Sequence, residues 1–287
     1  MSFSSQDIDH RGLAEALLGA VLEAGAVEMR HYRAGVSVET KADESPVTAA
    51  DREAEAILVA ALGSVAPGIP IVAEEAVAAG VIPDMGARFF LVDPLDGTRE
   101  FINRRDEFTV NIALAVAGRP VFGIVYAPAL SDLYVTLGPA RAARARIDPA
   151  SKSRTLAACG FADIRTRVPD PARLTAVASR SHMNPDTEAY LAGYQVAERR
   201  DAGSSLKFCV IARGDADIYP RLGPTMAWDT AAGHAVLLAA GGAVTGLDHS
   251  ALAYGTRTGE APKDRLRNPN FVAWGTPTPL PRASGRP

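Results

Sequence analysis

Phe89-Phe90-Leu91-Val92-Asp93-Pro94-Leu95-Asp96-Gly97-Thr98 decides how this chain is read. Four apolar residues run into an aspartate, and a second aspartate follows three positions on. The apolar run has the length of a buried strand. Pro94 and Gly97 are turn residues, so the strand is expected to end at Asp93, with Asp93 and Asp96 close together at the mouth of the turn. Carboxylates that close repel each other, and a hard divalent cation such as Mg²⁺, which prefers oxygen ligands, removes the repulsion. Gly97 and Thr98 can present backbone N–H groups to an anion. A cation and an anion in one turn point to phosphate-ester chemistry. The same residues also suit an Asx-rich turn without any ligand, and this stretch alone does not separate the two.

Outward from that stretch, 287 residues allow one large domain or two of ordinary size, and 47% apolar content is ample for a sizeable core. A formal charge of −3 argues against a general binder of nucleic acid or membrane surfaces, but not against a small anion held by local positive groups. Cys159 and Cys209 stand far apart with no CxxC spacing, as expected of two buried thiols in a reducing compartment. The polar start lacks the pattern of a signal peptide, and no apolar run is long enough to span a bilayer. The expected location is the cytoplasm, with peripheral association at the inner membrane left open.

Upstream, residues Ile8 to Tyr32 read as an amphipathic helix on Leu13, Leu17, Leu18, Val21 and Leu22. A second helix is expected from Thr48, where Thr48 and Asp51 have the spacing of a capping box. Ile69 to Ala73 is a short strand running into Glu74-Glu75. Downstream, Thr109–Ala117, Val121–Tyr126 and Asp132–Leu137 read as an antiparallel meander. The Ala/Arg-rich stretch from Arg141 to Arg154 is expected to be a connection with a solvated charged face. After it, strand and helix alternate: strands at 174–178, 194–198 and 216–219, helices at 185–191 and 205–213. Asp229 opens an alanine-rich helix ending at Gly241-Gly242, where a helix cap is the simplest role for it. His234 within that helix is expected to be packed, and Phe271 to Trp274 to form a final strand.

Four pieces recur in an order that resembles the inositol monophosphatase superfamily of metal-dependent, lithium-sensitive phosphatases. They are Pro46-Val47-Thr48-Ala49-Ala50-Asp51, Ala73-Glu74-Glu75, Asp93 to Thr98, and Trp228-Asp229-Thr230-Ala231-Ala232-Gly233. Within it, Ser179-Arg180-Ser181-His182, Gly203 to Cys209 and Asp217 to Met226 are similar to the 3′(2′),5′-bisphosphate nucleotidase branch. Two departures stand out: Ala227 where related sequences often carry glutamate, and the segment Pro139 to Pro149, which matches nothing in the family.

The resemblance implies an α/β fold with an α+β first half, a layered α-β-α-β-α sandwich of the inositol monophosphatase and fructose bisphosphatase type. It implies a first domain over residues 1–147 that carries the metal motifs and a second over 148–287 that carries the substrate segments. Two or three Mg²⁺ ions would be held by Glu74, Asp93, Asp96, Asp229 and the Leu95 carbonyl, with Asp51 and Thr98 acting on the attacking water. Substrate contacts fall to Glu74, Leu95, Asp96, Gly97, Thr98, His182, Ser204, Lys207, Arg221 and Asp229. No cysteine or histidine stands in a phosphatase nucleophile motif, so direct attack by water is expected over a covalent intermediate. The expected partner is a small bisphosphorylated nucleotide, not nucleic acid, and a homodimer is compatible with the family. Inositol or sugar phosphates are the alternative substrates, and a divalent-metal-binding module without turnover is the alternative from another class. Lys207 as a solvated helix lysine, and Arg221 paired with Asp217, are the structural alternatives to a phosphate-binding role.

Overall fold

The computed structural model describes residues 8–35, 38–40, 46–178, 184–255, 261 and 263–280. The elements run α1 (His10–Ala34), β1 (Val38–Thr40), β2 (Pro46–Thr48), α2 (Ala49–Val65), β3 (Ile71–Ala73), α3 (Glu74–Ala78), β4 (Arg88–Asp96) and α4 (Thr98–Ile102). Then come β5 (Thr109–Val116), β6 (Arg119–Ala127), β7 (Asp132–Gly138), β8 (Arg141–Arg146) and β9 (Ala162–Ile164). The chain closes with β10 (Leu174–Ala178), α5 (Pro185–Leu191), β11 (Val196–Asp201), α6 (Leu206–Ala212), β12 (Ile218–Arg221), α7 (Ala227–Ala239), β13 (Ala243–Gly246) and β14 (Phe271–Trp274).

Alternation along β4 builds the first three layers. Phe90 and Val92 point to one face of the sheet, into a core made with Leu17, Leu18, Val21 and Leu22 of α1 and Leu58 and Leu62 of α2. Phe89 and Leu91 point to the other face, toward Phe208 of α6 and Ala231, Ala232 and Val236 of α7. Burying each such side chain contributes about 1.5–3 kcal/mol, and a one-residue slip would exchange the two faces, so the register is strongly specified. This sheet has the order β3-β4-β5-β6-β7-β8-β9, antiparallel except for the parallel β3–β4 pair. Gly123 in β6 lets α7 lie close against the sheet, because a Cβ there would collide with the Ala232 carbonyl.

The second sheet has the order β11-β10-β12-β14-β13, parallel across β11, β10 and β12 and antiparallel across β12, β14 and β13. Tyr219, Phe271 and Ala273 face the α6/α7 layer, whereas Ile218, Val272 and Trp274 face Tyr190 and Leu191 of α5. The layers are therefore α1/α2, sheet, α6/α7, sheet, α5. This is the expected α-β-α-β-α sandwich.

Three local expectations need correction. β4 does not stop at Asp93 but continues to Asp96 through a bulge, with Asp93 opposite Asn111 and Asp96 opposite Thr109. Pro94, which has no N–H to donate, sits within that irregularity, where a sheet tolerates it. The stretch from Arg141 is not a plain connection: Arg141–Arg146 is a strand whose alanines are buried. Arg144 clasps Asp132 with contacts of 2.7–3.1 Å, and Arg141 meets Asp163 at 2.9 Å. Third, β12 runs later than expected, and Arg221 ends it. The first sheet takes its last strand from Ala162–Ile164, beyond the proposed division after residue 147. No helix among the described residues is long and apolar enough to cross a membrane.

Candidate active site

The β4 bulge and the turn after it carry the central carboxylates. Asp93 is buried, and its Oδ1 accepts the Leu95 N–H at 3.0 Å, which folds the aspartate back over its own turn. Gly97 follows at φ +93°, a left-handed conformation that glycine adopts without strain. A side chain at that position would also strike Ser204 Oγ. The close approach matters because the Ser204 hydroxyl lies 2.7 Å from the Asp96 carbonyl and 2.8 Å from that of Glu107. The loop before α6 is thereby pinned to the β4 turn.

Glu74 begins α3 and Asp229 sits in the first turn of α7. Asp229 does cap its helix, its Oδ2 accepting the Met226 N–H at 2.8 Å. It also lines the same cavity as Glu74, Asp93 and Asp96, so the capping role and a place in the site coexist. Asn268 fixes the start of α7 by donating to the Met226 carbonyl at 2.7 Å and to Thr230 Oγ1 at 3.0 Å.

The cavity has a volume of about 290 Å³. One wall holds Glu74, Asp93, Leu95, Asp96, Gly97, Thr98 and Asp229, and the other holds Ser204, Lys207 and Arg221. Asp51 stands behind Thr98. Its Oδ2 accepts both the N–H and the hydroxyl of Thr48, at 2.8 and 2.7 Å, and its Oδ1 is 3.3 Å from Thr98 Oγ1. The Thr98 hydroxyl is equally 3.3 Å from the Leu95 carbonyl. The structure thus brings together every site residue expected from sequence except His182, which lies outside the described residues. Glu100, Arg105, Glu107 and Tyr219 also line the cavity. They were missed because a lone charged or aromatic residue has no spacing signal of its own.

Both structural alternatives for the basic pair fail. Lys207 is not solvated: it is 7% exposed, and its ammonium donates to the Ser204 carbonyl at 2.7 Å and lies over the Tyr219 ring. Arg221 does not pair with Asp217, because Arg167 grips both oxygens of that carboxylate at 2.7 Å. Arg221 instead donates through one Nη to the Pro224 carbonyl at 3.0 Å, and its buried Nε has no partner among the described residues.

The electrostatics of the acidic wall test its fitness for a cation. Burial, and then the charges of Glu74, Asp96 and Asp229, raise the Asp93 carboxyl well above the usual range. Burial, and then Asp96 and Glu74, do the same to Asp229. Asp96 is pushed up to about 6, chiefly by burial, with Lys207 opposing the rise. Among the described residues no three acidic, histidine or cysteine side chains already close around a common point. The all-oxygen donor set nevertheless fits a hard divalent cation, whose charge would offset the mutual repulsion of these carboxylates.

Residues 9–273 match the inositol monophosphatase family. The chain belongs to that family. Enzymes of the inositol monophosphatase family depend on divalent metal, as the acidic wall leads one to expect. The chain is 40% identical over 250 residues to the 3′(2′),5′-bisphosphate nucleotidase CysQ of Salmonella typhimurium, covering 86% of this chain and 94% of that protein. Among solved structures it is similar to CysQ from Bacteroides thetaiotaomicron, described as a bacterial member of the inositol monophosphatase family. The TM-score is 0.74 and the identity 36%, with 92% and 97% of the two chains covered. An inositol monophosphatase from Anabaena shares the fold at TM-score 0.67 and 23% identity, over 93% and 91% of the two chains.

Proposed function

We propose that this protein is a Mg²⁺-dependent 3′(2′),5′-bisphosphate nucleotidase that hydrolyses the 3′-phosphate of adenosine 3′,5′-bisphosphate, or of its sulfated form, by direct attack of water. The observation that carries the reading is the two-walled cavity. An acidic wall suited to phosphate hydrolysis faces two buried cations, Lys207 and Arg221, suited to a second phosphate. The CysQ relatives bear the matching name.

Glu74, Asp93, Asp96, Asp229 and the Leu95 carbonyl would hold two or three Mg²⁺ ions, which supply charge neutralisation at the phosphate and acidity to water. The remaining steps belong to the chain's own groups. Thr98 directs its hydroxyl proton toward Asp51 and keeps its oxygen lone pairs for a water. As the water oxygen bonds to phosphorus, its proton passes to Thr98 Oγ1 while the Thr98 proton passes to Asp51. The bond from phosphorus to the 3′ oxygen breaks, and that oxygen is protonated from solvent as AMP leaves. The two hydrogen bonds from Thr48 hold Asp51 in place for this transfer. Gly97 and Thr98 offer their N–H groups to the reacting phosphate, and Lys207 and Arg221 grip the 5′-phosphate, arginine being suited to a forked contact. The Ser204 hydroxyl already serves two carbonyls, so Ser204 supports the substrate through the loop it fixes. His182 is kept as a neutral donor in this scheme.

Phosphate release from a panel of adenosine 3′,5′-bisphosphate, its sulfated form and inositol 1-phosphate tests the proposal. The bisphosphate should be turned over with the highest kcat/KM. A preference for inositol 1-phosphate would replace the substrate assignment, and no turnover of any substrate would leave a metal-binding module.

A further inference from the structure

The acidic wall has a support that none of its own members explains. α3 opens without a capping side chain from its own segment: Ala73 precedes it and makes no side-chain hydrogen bond to it. Its exposed N–H groups would normally need partners. The partner comes from α2. Glu55 reaches across with both carboxylate oxygens, Oε2 accepting the Glu75 N–H at 2.8 Å and Oε1 the Ala76 N–H at 2.9 Å. It is 9% exposed, so solvent does not compete for those bonds. The residue that starts the turn held in this way is Glu74.

Glu55 also follows Asp51 by four positions on α2, one turn along the same helical face, and both are buried. A single rigid helix therefore carries the carboxylate behind Thr98 and the carboxylate that fixes the Glu74 backbone. We infer that Glu55 is a positioning residue that sets Glu74 at the cation site through its two bonds to the α3 backbone. The inference deepens the proposed function and rests on its assignment of Glu74 as a metal ligand. The two bonds act as a pair. One would leave α3 free to pivot about it, whereas two fix both the place and the direction of the first turn.

Glu55→Gln tests the pairing with little change of volume. The amide can accept one N–H but presents its own NH₂ group to the other, so one bond is lost. Glu55→Asp keeps the charge but is one methylene shorter and cannot span both N–H groups. Mg²⁺ alone is the probe, titrated by calorimetry against wild type and both variants without substrate, after thermal melts establish that each is folded. Support orienting a metal ligand is worth about 10–100-fold in affinity. We expect Mg²⁺ binding about 10–100-fold weaker in each folded variant, with KM for the nucleotide unchanged at saturating Mg²⁺. A purely structural role would lower the melting temperature and leave Mg²⁺ affinity at the wild-type value, and that result overturns the inference. Should Glu55→Gln not fold, Glu55→Asp decides by the same criterion. Wild type that fails to bind Mg²⁺ would overturn the inference together with the metal reading beneath it. Wild type that binds, beside variants that bind equally well, would overturn only the role of Glu55.

Discussion

Replacing Arg221 by alanine separates recognition of a second phosphate from chemistry at the first. The guanidinium is 9% exposed on the cavity wall, and its only hydrogen bond among the described residues goes to a neutral carbonyl, that of Pro224. The acid that would have neutralised it, Asp217, is held by Arg167 and by the Thr175 N–H. Its charge is therefore available to a ligand. A hydrogen bond to a charged group contributes about 1.5–3 kcal/mol, and each 1.4 kcal/mol is about tenfold in affinity. Arg221→Ala should raise KM for adenosine 3′,5′-bisphosphate by roughly 10- to 150-fold with kcat little changed, because the bond is made equally before and during reaction. The control is adenosine 3′-monophosphate, assayed at saturating Mg²⁺. Arg221 also eases the charge on Asp229, so its loss weakens both substrates through the acidic wall, and the ratio of the two kcat/KM values removes that shared part. Arg221→Lys should lie between, keeping the charge and losing the fork. Equal losses on both substrates would refute the assignment.

Three further outcomes follow from the site. Chelation, or Asp93→Asn, should abolish nearly all turnover, since a neutral amide weakens both cation binding and the acidity of water; a chelated enzyme that still works at the normal rate rules this out. Thr98→Ala should lower kcat about 10²–10⁴-fold with KM nearly constant, and a change confined to KM would dismiss the Thr98–Asp51 pair. Glu28 in α1 is fully buried with neither oxygen hydrogen-bonded among the described residues, and burial, then the Asp51 charge, raise its carboxyl well above the ordinary value. A raised folded-state pKa in an acid means stability that is present below the unfolded value of 4.5 and lost as pH climbs toward the folded one. Glu28→Met should therefore raise Tm by at least about 2 °C at pH 7.5, with a smaller gain at pH 4.5; equal gains at both would show that ionisation is not the cause.

Much of this was legible in the chain because the signals were periodic or paired. Phe89 to Val92 alternate across a sheet buried on both faces, and Thr48 with Asp51 makes the capping box their spacing suggested. The Ala/Arg stretch misled because its arginines mask a strand. Arg144 is neutralised by Asp132 from the neighbouring strand, a pairing twelve residues apart that no local pattern reveals. The bulge at Asp93 was hidden for a related reason, since Pro94 reads as a stop unless the partner strand is known to absorb it. Glu55 was invisible as a support because its partners are backbone N–H groups twenty and twenty-one positions away.

The Ser204 hydroxyl, seated on the carbonyls of Asp96 and Glu107, joins the two walls of the cavity. Lys207 and Arg221 hang from α6 and β12, while Asp51, Glu74, Asp93, Asp96 and Thr98 hang from the opposite half. Under the proposed roles, selectivity and hydrolysis are only partly separable, because Asp229 of the acidic wall stands on α7, in the same half as Lys207 and Arg221, and the Ser204 hydroxyl keeps the seam between the halves in register. For an engineer, Gly97 and Ser204 are the fixed coupling, and Asp229 the acidic-wall member on the same side, that any graft of α6 and β12 has to preserve.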